Sequence, residues 1–368
     1  MKKVYKLWIG GVSLLLIPLA LLAISHRFPS FSSWYASKIY QKIFPFISCL
    51  ISQIPFSIYE FILILLIILV FILLIKDINR LFKKKSRKIF FKGSRKIPLR
   101  LLYLIAIVLC IFTFTAGLNY GRDSYINNIG INPHPSNIDD LMNLYNLLLN
   151  QATEIVPYIE ADSSGLFVLH SDNIIEESQK AMINISIMYG GLGCNFPRAK
   201  TLLLSHLVFS NFNFNGFFSP FTLEAHYNHY APSPRIPFII THELAHSSGY
   251  MREDEASFIA YLACTYSDNK DFQYCGLFSA LSYTLSALHK EITTEQYAEL
   301  YYMMPYQVIR DMAALNTHSQ RFEGKKAAIM HEKVNDTFLK INRQKDGINS
   351  YDKMVDLLLT YYKYKELI

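Results

Sequence analysis

The sequence predicts an α+β protein, mainly helical, in which three membrane-spanning helices precede one outer domain. Three observations carry this expectation. Apolar residues make up 51% of the 368, and the mean hydropathy is positive at +0.18. Three apolar stretches each approach the ~20 residues that a helix needs to cross ~30 Å of hydrocarbon. Beyond the third, residues 119–368 are mostly helical in pattern and long enough for one self-sufficient core.

The spans fall at about 7–25, 54–75 and 98–117. The first carries no charge, the second only Glu60, and the third only Arg100. Met1-Lys2-Lys3 resembles a signal-peptide n-region. However, the apolar run is long for an h-region and no clean small-x-small site follows, so an uncleaved anchor is expected. An acid inside a membrane span is a functional candidate by default, which puts Glu60 forward for coupling the domain to the membrane.

Lys and Arg in short loops set the orientation. Residues 26–53 hold Arg27, Lys38 and Lys42, whereas residues 76–97 hold ten basic residues against the single acid Asp77. That basic loop is expected in the cytoplasm, with the N-terminus, and residues 119–368 are expected outside it. The net charge of +7 is an uneven sum. Residues 1–100 hold 17 basic and 2 acidic residues, leaving 19 and 27 for the remainder, so the outer domain is acidic. The basic loop reads as a topology signal; a lipid bilayer is the expected partner and nucleic acid is not. Five cysteines without regular spacing or a CxxC exclude a disulfide framework and a thiolate metal site.

In the outer domain, "SNIDDLMNLYNLLLNQATEIVPYI" has helical spacing, with Ser136 or Asn137 as its cap. "GLFVLHS" reads as a short strand and residues 175–187 as helix. The Phe-, Asn- and Gly-rich stretch ending in "FTLEAHYN" reads as strands and turns. After it the chain reads as helix to the end. The tail breaks at a turn over 346–349 and finishes in a helix capped by Ser350.

The chemistry concentrates in "THELAHSSGYMREDEASFIAYLAC", from Thr241 to Cys264. Residues i and i+4 share a helix face, so His242 and His246 aim at one point with Glu243 beside it. That is the HExxH pattern: two zinc ligands and a general base for the bound water. One Zn2+ per chain is expected. The third ligand should come from the acids that open the next helix. The metzincin pattern has a His or Asp six residues after the second His, where this chain has Arg252, a cation that cannot bind zinc. The gluzincin arrangement takes a Glu from the following helix, here Glu253, Asp254 or Glu255. Glu253 shares a face with the small residues Ala256, Ser257, Ala260 and Cys264, which permit close helix approach. Glu255 shares a face with Phe258, Ile259 and Leu262. Glu253 is therefore preferred, with Glu255 the alternative, and Ser257 falls one turn on. The fold expected is an α+β, mainly helical zincin-like domain preceded by three transmembrane helices.

The same stretch resembles the motif of an uncharacterised family of bacterial multi-pass membrane proteins with three N-terminal spans and an outer HExxH domain. "PFSIYE", "GLNYGR", "FTLEAHYN" and "VNDTFLKINRQKDGINSYDKMVDLL" are similar to that family too, so the resemblance covers most of the chain. It implies a membrane-bound zinc metallopeptidase. "EDEAS" is similar to the E-x-E-A-D element of membrane-anchored heat-shock zinc proteases, whose first Glu is the ligand. That implies Glu253, with Ser257 standing where those proteins have Asp. In gluzincins an edge strand before the motif helix often pairs with extended substrate, which makes His226, Asn228 and His229 candidate cleft residues. Tyr351 is a candidate donor to the oxyanion.

These readings define the expectation. The chain is a membrane-anchored zinc-dependent metalloendopeptidase cutting a peptide or protein outside the cytoplasm, with Glu243 as base. The alternatives are a non-catalytic sensor that binds peptide, or a zinc amidase acting on cell-wall peptides.

Overall fold

A computed structural model gives the structure of residues 2–82, 97–133, 135–170, 173–202, 214–321, 325–342, 344–347 and 353–368. It is mainly helical, 72% helix with one two-stranded sheet. Three helices, α1 (Lys2–Arg27), α4 (Ile58–Phe82) and α5 (Ile97–Thr115), are long and apolar enough to cross a membrane. Helices α1 and α5 pack along each other where Gly10 and Gly11 leave room. A Cβ on either would come within 2.9 Å of Tyr103 or Leu102. Such small-residue contacts drive helix pairing in lipid, where apolar burial alone gives no advantage. The apolar stretch of α4 buries none of its residues against the rest of the chain.

The second span starts four residues later than the hydropathy suggests. Pro55 and the turn around it break the helix, and the Ser57 hydroxyl accepts the amide N–H of Glu60, 3.1 Å away, to start a new one. Glu60 thus sits in the first turn of α4 and is half-buried.

The stretch between the first two spans, expected as a loop, is helical. Helix α2 (Pro29–Tyr35), a π-helical turn (Ala36–Tyr40) and α3 (Gln41–Ser52) fold back onto the later domain. Its Tyr40 is fully buried.

In that domain, α6 (Ile138–Ile155) opens on a capping box in which Asn137 and Asp140 bond each other's backbone amides. Next come α7 (Ile174–Tyr189), β1 (Gly216–Ser219) and β2 (Glu224–Tyr227). The helical remainder is α8 (Ile236–Ser247), α9 (Glu253–Thr265), α10 (Lys270–Leu288), α11 (Thr294–Met303), α12 (Tyr306–Gln320), α13 (Lys326–Ile341) and α14 (Met354–Tyr364). Helix α9 is buried almost end to end, packed among α7, α8, α10 and α14. A helix apolar all round belongs in a core.

The strands pair antiparallel, Gly216 opposite Tyr227 and Ser219 opposite Glu224. Lys200 bridges the far side of β2 in parallel fashion, so β1 is the outer strand among the described residues. "GLFVLHS" does not form a strand. Its residues make one isolated bridge, Phe167 to Ala161. Side chains take three of its amides, Asp162 that of Leu166, Asp311 that of Phe167 and Asp271 that of His170, and the Glu160 carbonyl takes that of Val168. The cap predicted at Ser350 lies outside the described residues.

A buried ion pair ties the sheet to the second span. The Lys200 ammonium donates to the Glu224 carboxylate at 2.8 Å and to the carbonyls of Ile51 and Phe56. Glu224 also accepts the amides of Ile58 and Tyr59, at 2.9 and 2.8 Å, and so caps α4 from the domain. Burial pushes the Glu224 carboxyl up, but the Lys200 hydrogen bond and the two amides outweigh it and leave it below the usual range. A carboxyl depressed in the folded state stabilises it above the unfolded value of ~4.3, and that stability is lost as pH falls through the folded value. Melting curves of the purified chain are therefore expected to fall steeply below about pH 4. Glu224→Ala, which leaves Lys200 buried without its counter-ion, is expected to cost about 3–5 kcal/mol at neutral pH and to flatten that acid limb.

Candidate metal centre

Helix α8 carries HExxH with Pro237 in its first turn and stops at Gly249, whose φ is +88°. A Cβ there would meet the Tyr40 ring at 2.9 Å. Gly249→Ala is expected to destabilise the fold by roughly 1–3 kcal/mol, since it adds left-handed strain to a collision; thermal unfolding in detergent checks this. The turn that follows is clamped by Arg122, from "GLNYGR". Its guanidinium lies 3.7 Å over the Tyr250 ring, donates to the Tyr250 hydroxyl at 2.9 Å and donates to the Gly249 carbonyl at 3.3 Å. Helix α9 then begins at Glu253, whose amide donates to the Gln344 side chain.

This turn delivers Glu253 to the histidines. Its Oε2 lies 3.0 Å from His242 Nε2 and 3.5 Å from His246 Nε2, and ligand atoms of all three residues lie within 4.8 Å of one another. Four ligands ~2.0–2.1 Å from a tetrahedral zinc stand ~3.3 Å apart, so the two histidine–carboxylate separations suit a shared ion. The outer ring nitrogens are also occupied. His246 Nδ1 donates to the Tyr250 carbonyl at 2.7 Å, and His242 Nδ1 lies 3.2 Å from the Ser257 hydroxyl. The carbonyl can only accept, so the neutral His246 ring keeps its lone pair on the inward Nε2, and a Ser257 hydroxyl that accepts from Nδ1 gives His242 the same tautomer. These N, N and O donors suit zinc, and His242, His246 and Glu253 are the residues that could hold it.

The charges of the cluster are mutually dependent. For His246, burial favours the neutral ring, but the Glu253 carboxylate outweighs it and raises the ring to about 9. His242 goes the other way, because burial exceeds its bond to Glu253. Glu253 is held far below the carboxylate range: burial opposes this, and His246 and His242 together prevail. Burial pushes Glu243 up to about 8, with His246 pulling it down and Glu253 pushing it up.

Glu243 lines the same cleft of about 960 Å³ as His242, His246 and Glu253. Its Oε2 has no hydrogen-bond partner among the described residues. Gly216, at the start of β1, lies directly against it, and a Cβ there would meet Oε1 at 2.8 Å. Gly216, Phe217 and Phe218 form one wall of the cleft. Strand β1 thus runs past the cluster of His242, His246 and Glu253.

The other candidates sit elsewhere. Glu255 is 1% exposed and outside the cluster; burial lifts it to about 7, the nearby Arg252 pulling against that. Asp254 pairs with Arg252 at 2.5 Å. His226 faces away from the cleft, stacked 4.5 Å from Phe217, with Nε2 2.9 Å from the Ser57 hydroxyl. Asn228 shapes a turn by bonding the Phe214 carbonyl and the Tyr230 amide, and His229 is exposed beside Tyr230. Tyr351 lies outside the described residues.

Cleft residues not singled out in the sequence are Arg235, Tyr283 and His331. Their signal was faint: Arg235 is one residue before the motif helix, and His331 shares an amphipathic helix with Phe338.

The fold and this cluster define a mainly helical protein with three helices fit to span a membrane and a His–His–Glu cluster that could hold a metal ion. The chain belongs to the family described as Protein of unknown function (DUF3810), which matches residues 35–359. No curated protein and no solved structure matches it.

Proposed function

We propose that the protein is a membrane-anchored, zincin-like zinc metallopeptidase that cuts extended polypeptide outside the cytoplasm. One observation carries the reading: His242, His246 and Glu253 converge beside a buried Glu243 whose Oε2 has no hydrogen-bond partner among the described residues, along the cleft wall formed by β1. His242, His246 and Glu253 would hold zinc, which when bound would supply Lewis acidity and a water of pKa near ~7. Glu243 would serve as the general base and later as the proton donor to the leaving amine. His331, Tyr283 and Arg235 line the cleft and supply donors for the developing oxyanion. The wall formed by Gly216, Phe217 and Phe218 offers backbone groups to an extended chain, which favours polypeptide over a compact cell-wall peptide. The basic loop 76–97 on the cytoplasmic side puts the cleft on the opposite face.

Full-length protein with one zinc per chain, screened against a peptide library, tests this. Cleavage abolished by chelator and restored by zinc is expected. A folded, zinc-loaded chain that binds peptides and cuts none would establish the sensor reading instead.

A further inference from the structure

Helix α13 has two faces, and the domain uses one of them. Ala328, His331, Glu332, Asn335 and Phe338 line the cleft. On the far side Met330, Val334 and Ile341 are 65%, 59% and 70% exposed. At 3.6 residues per turn these three fall within ~40° of one another, in a single apolar stripe. Lys326, Lys333 and Lys340 recur every seven residues along one border of it. Thr337 interrupts it between Val334 and Ile341, yet an exposed apolar stripe marks a surface that something covers.

The neighbours of the stripe point to its occupant. Phe338 packs its ring 6.0 Å from Phe112 and 6.4 Å from Tyr120. Phe112 belongs to the last turn of α5, one of the three helices fit to span a membrane. Around it Val108, Ile111 and Phe114 are themselves exposed. The apolar surface of α5 therefore passes into that of α13. A lysine row beside an apolar face is what a helix lying in a lipid interface carries, its stems buried and its ammonium groups among phosphates.

We infer that α13 is an interfacial helix. It lays Met330, Val334 and Ile341 into the bilayer beside α5 and aims Lys326, Lys333 and Lys340 at anionic headgroups. Its opposite face lines the cleft. The lipid surface thereby fixes one wall of the cleft, whose mouth opens at membrane level, where polypeptide segments close to the bilayer arrive. The lipid contact stands independently of the zinc reading.

The test uses the full chain in nanodiscs of phosphatidylcholine and phosphatidylglycerol. Cys49, Cys110 and Cys194 are replaced by Ser, and a polarity-sensitive fluorophore is attached to Val334→Cys or Ile341→Cys. Glu332→Cys, on the cleft face, and Tyr302→Cys, exposed on α11, are the references. An interfacial face lies ~5–10 Å into the headgroup–acyl boundary, so brominated acyl chains should quench 334 and 341 about twofold or more, and 332 and 302 hardly at all. Two results overturn the inference. One is iodide quenching at 334 and 341 equal to that at 302. The other is shielding from iodide without bromine quenching, which means that a second copy or another protein covers the stripe. Unsubstituted protein supplies an independent readout. Lipids with photoactivatable chains should label residues 326–341, and absence of label there also overturns it.

Discussion

Glu243→Gln is expected to keep its zinc and to lose peptidase activity by about 10²–10⁴-fold, the span that a positioned general acid–base contributes. The amide is nearly isosteric with the carboxyl but cannot accept the proton of the attacking water. Nothing else in the cluster can replace it, because His242, His246 and Glu253 spend their inward atoms on the ion. Structural damage should be small. Glu243 Oε2 has no hydrogen-bond partner to lose among the described residues, and the carboxyl is already pushed up to about 8 by burial. A carboxyl pushed up to about 8 is neutral near pH 7, as the amide is, so the variant should melt close to wild type. Three readouts on one preparation decide it: zinc per chain, melting temperature and cleavage rate. Full activity in Glu243→Gln would sink the proposed mechanism outright. Loss of zinc together with activity would make Glu243 a ligand and overturn the arrangement drawn from α8 and α9.

The candidate centre was largely legible because its chemistry is local. His242, Glu243 and His246 are fixed by one helix period, and Gly249 ends that helix in plain view. The preference for Glu253 over Glu255 followed from which face of α9 is small enough to approach α8. The structure places the Glu253 carboxylate at the histidines and leaves Glu255 outside. The three apolar helices were legible for the same reason, since length and composition are one-dimensional. What failed depended on contacts between distant segments. His226 lies one residue from Tyr227 and two from Glu224, but an alternating strand turns adjacent side chains to opposite faces. Its role is set by Ser57, 169 residues away. Residues 26–53 read as a loop because Pro45 and scattered Ser and Tyr blur the period. Burial of Tyr40 against Gly249 and bonding of Ser48 to the Leu223 carbonyl fold them onto the domain. Likewise no sequence pattern announces that Lys200 and Glu224 will cap the second span.

Glu253→Gln and Glu255→Gln should differ sharply in zinc content, although the two positions are neighbours on one helix. Glu253 Oε2 contacts both histidines, and its carboxyl is held far below its ordinary range by them, so it stays an anionic ligand at any physiological pH. A neutral amide there removes the one negative charge that offsets the ion. Affinity should fall by more than the ~10–100-fold that follows loss of an outer partner. Ser257→Ala removes such a partner from His242 Nδ1 and calibrates that smaller step. Glu255→Gln should bind zinc as wild type does. Its carboxyl is raised by burial, with Arg252 pulling against that, and it lies outside the His242–His246–Glu253 cluster, so the amide removes no ligand. Competition with a zinc chelator, run on the wild type and the three variants in the same detergent, ranks the four affinities. The expected order is wild type equal to Glu255→Gln, then Ser257→Ala, then Glu253→Gln. If Glu255→Gln lost zinc and Glu253→Gln kept it, the ion would have to sit on the other face of α9, away from His242 and His246. The cleft with Glu243 would then have no metal to work with.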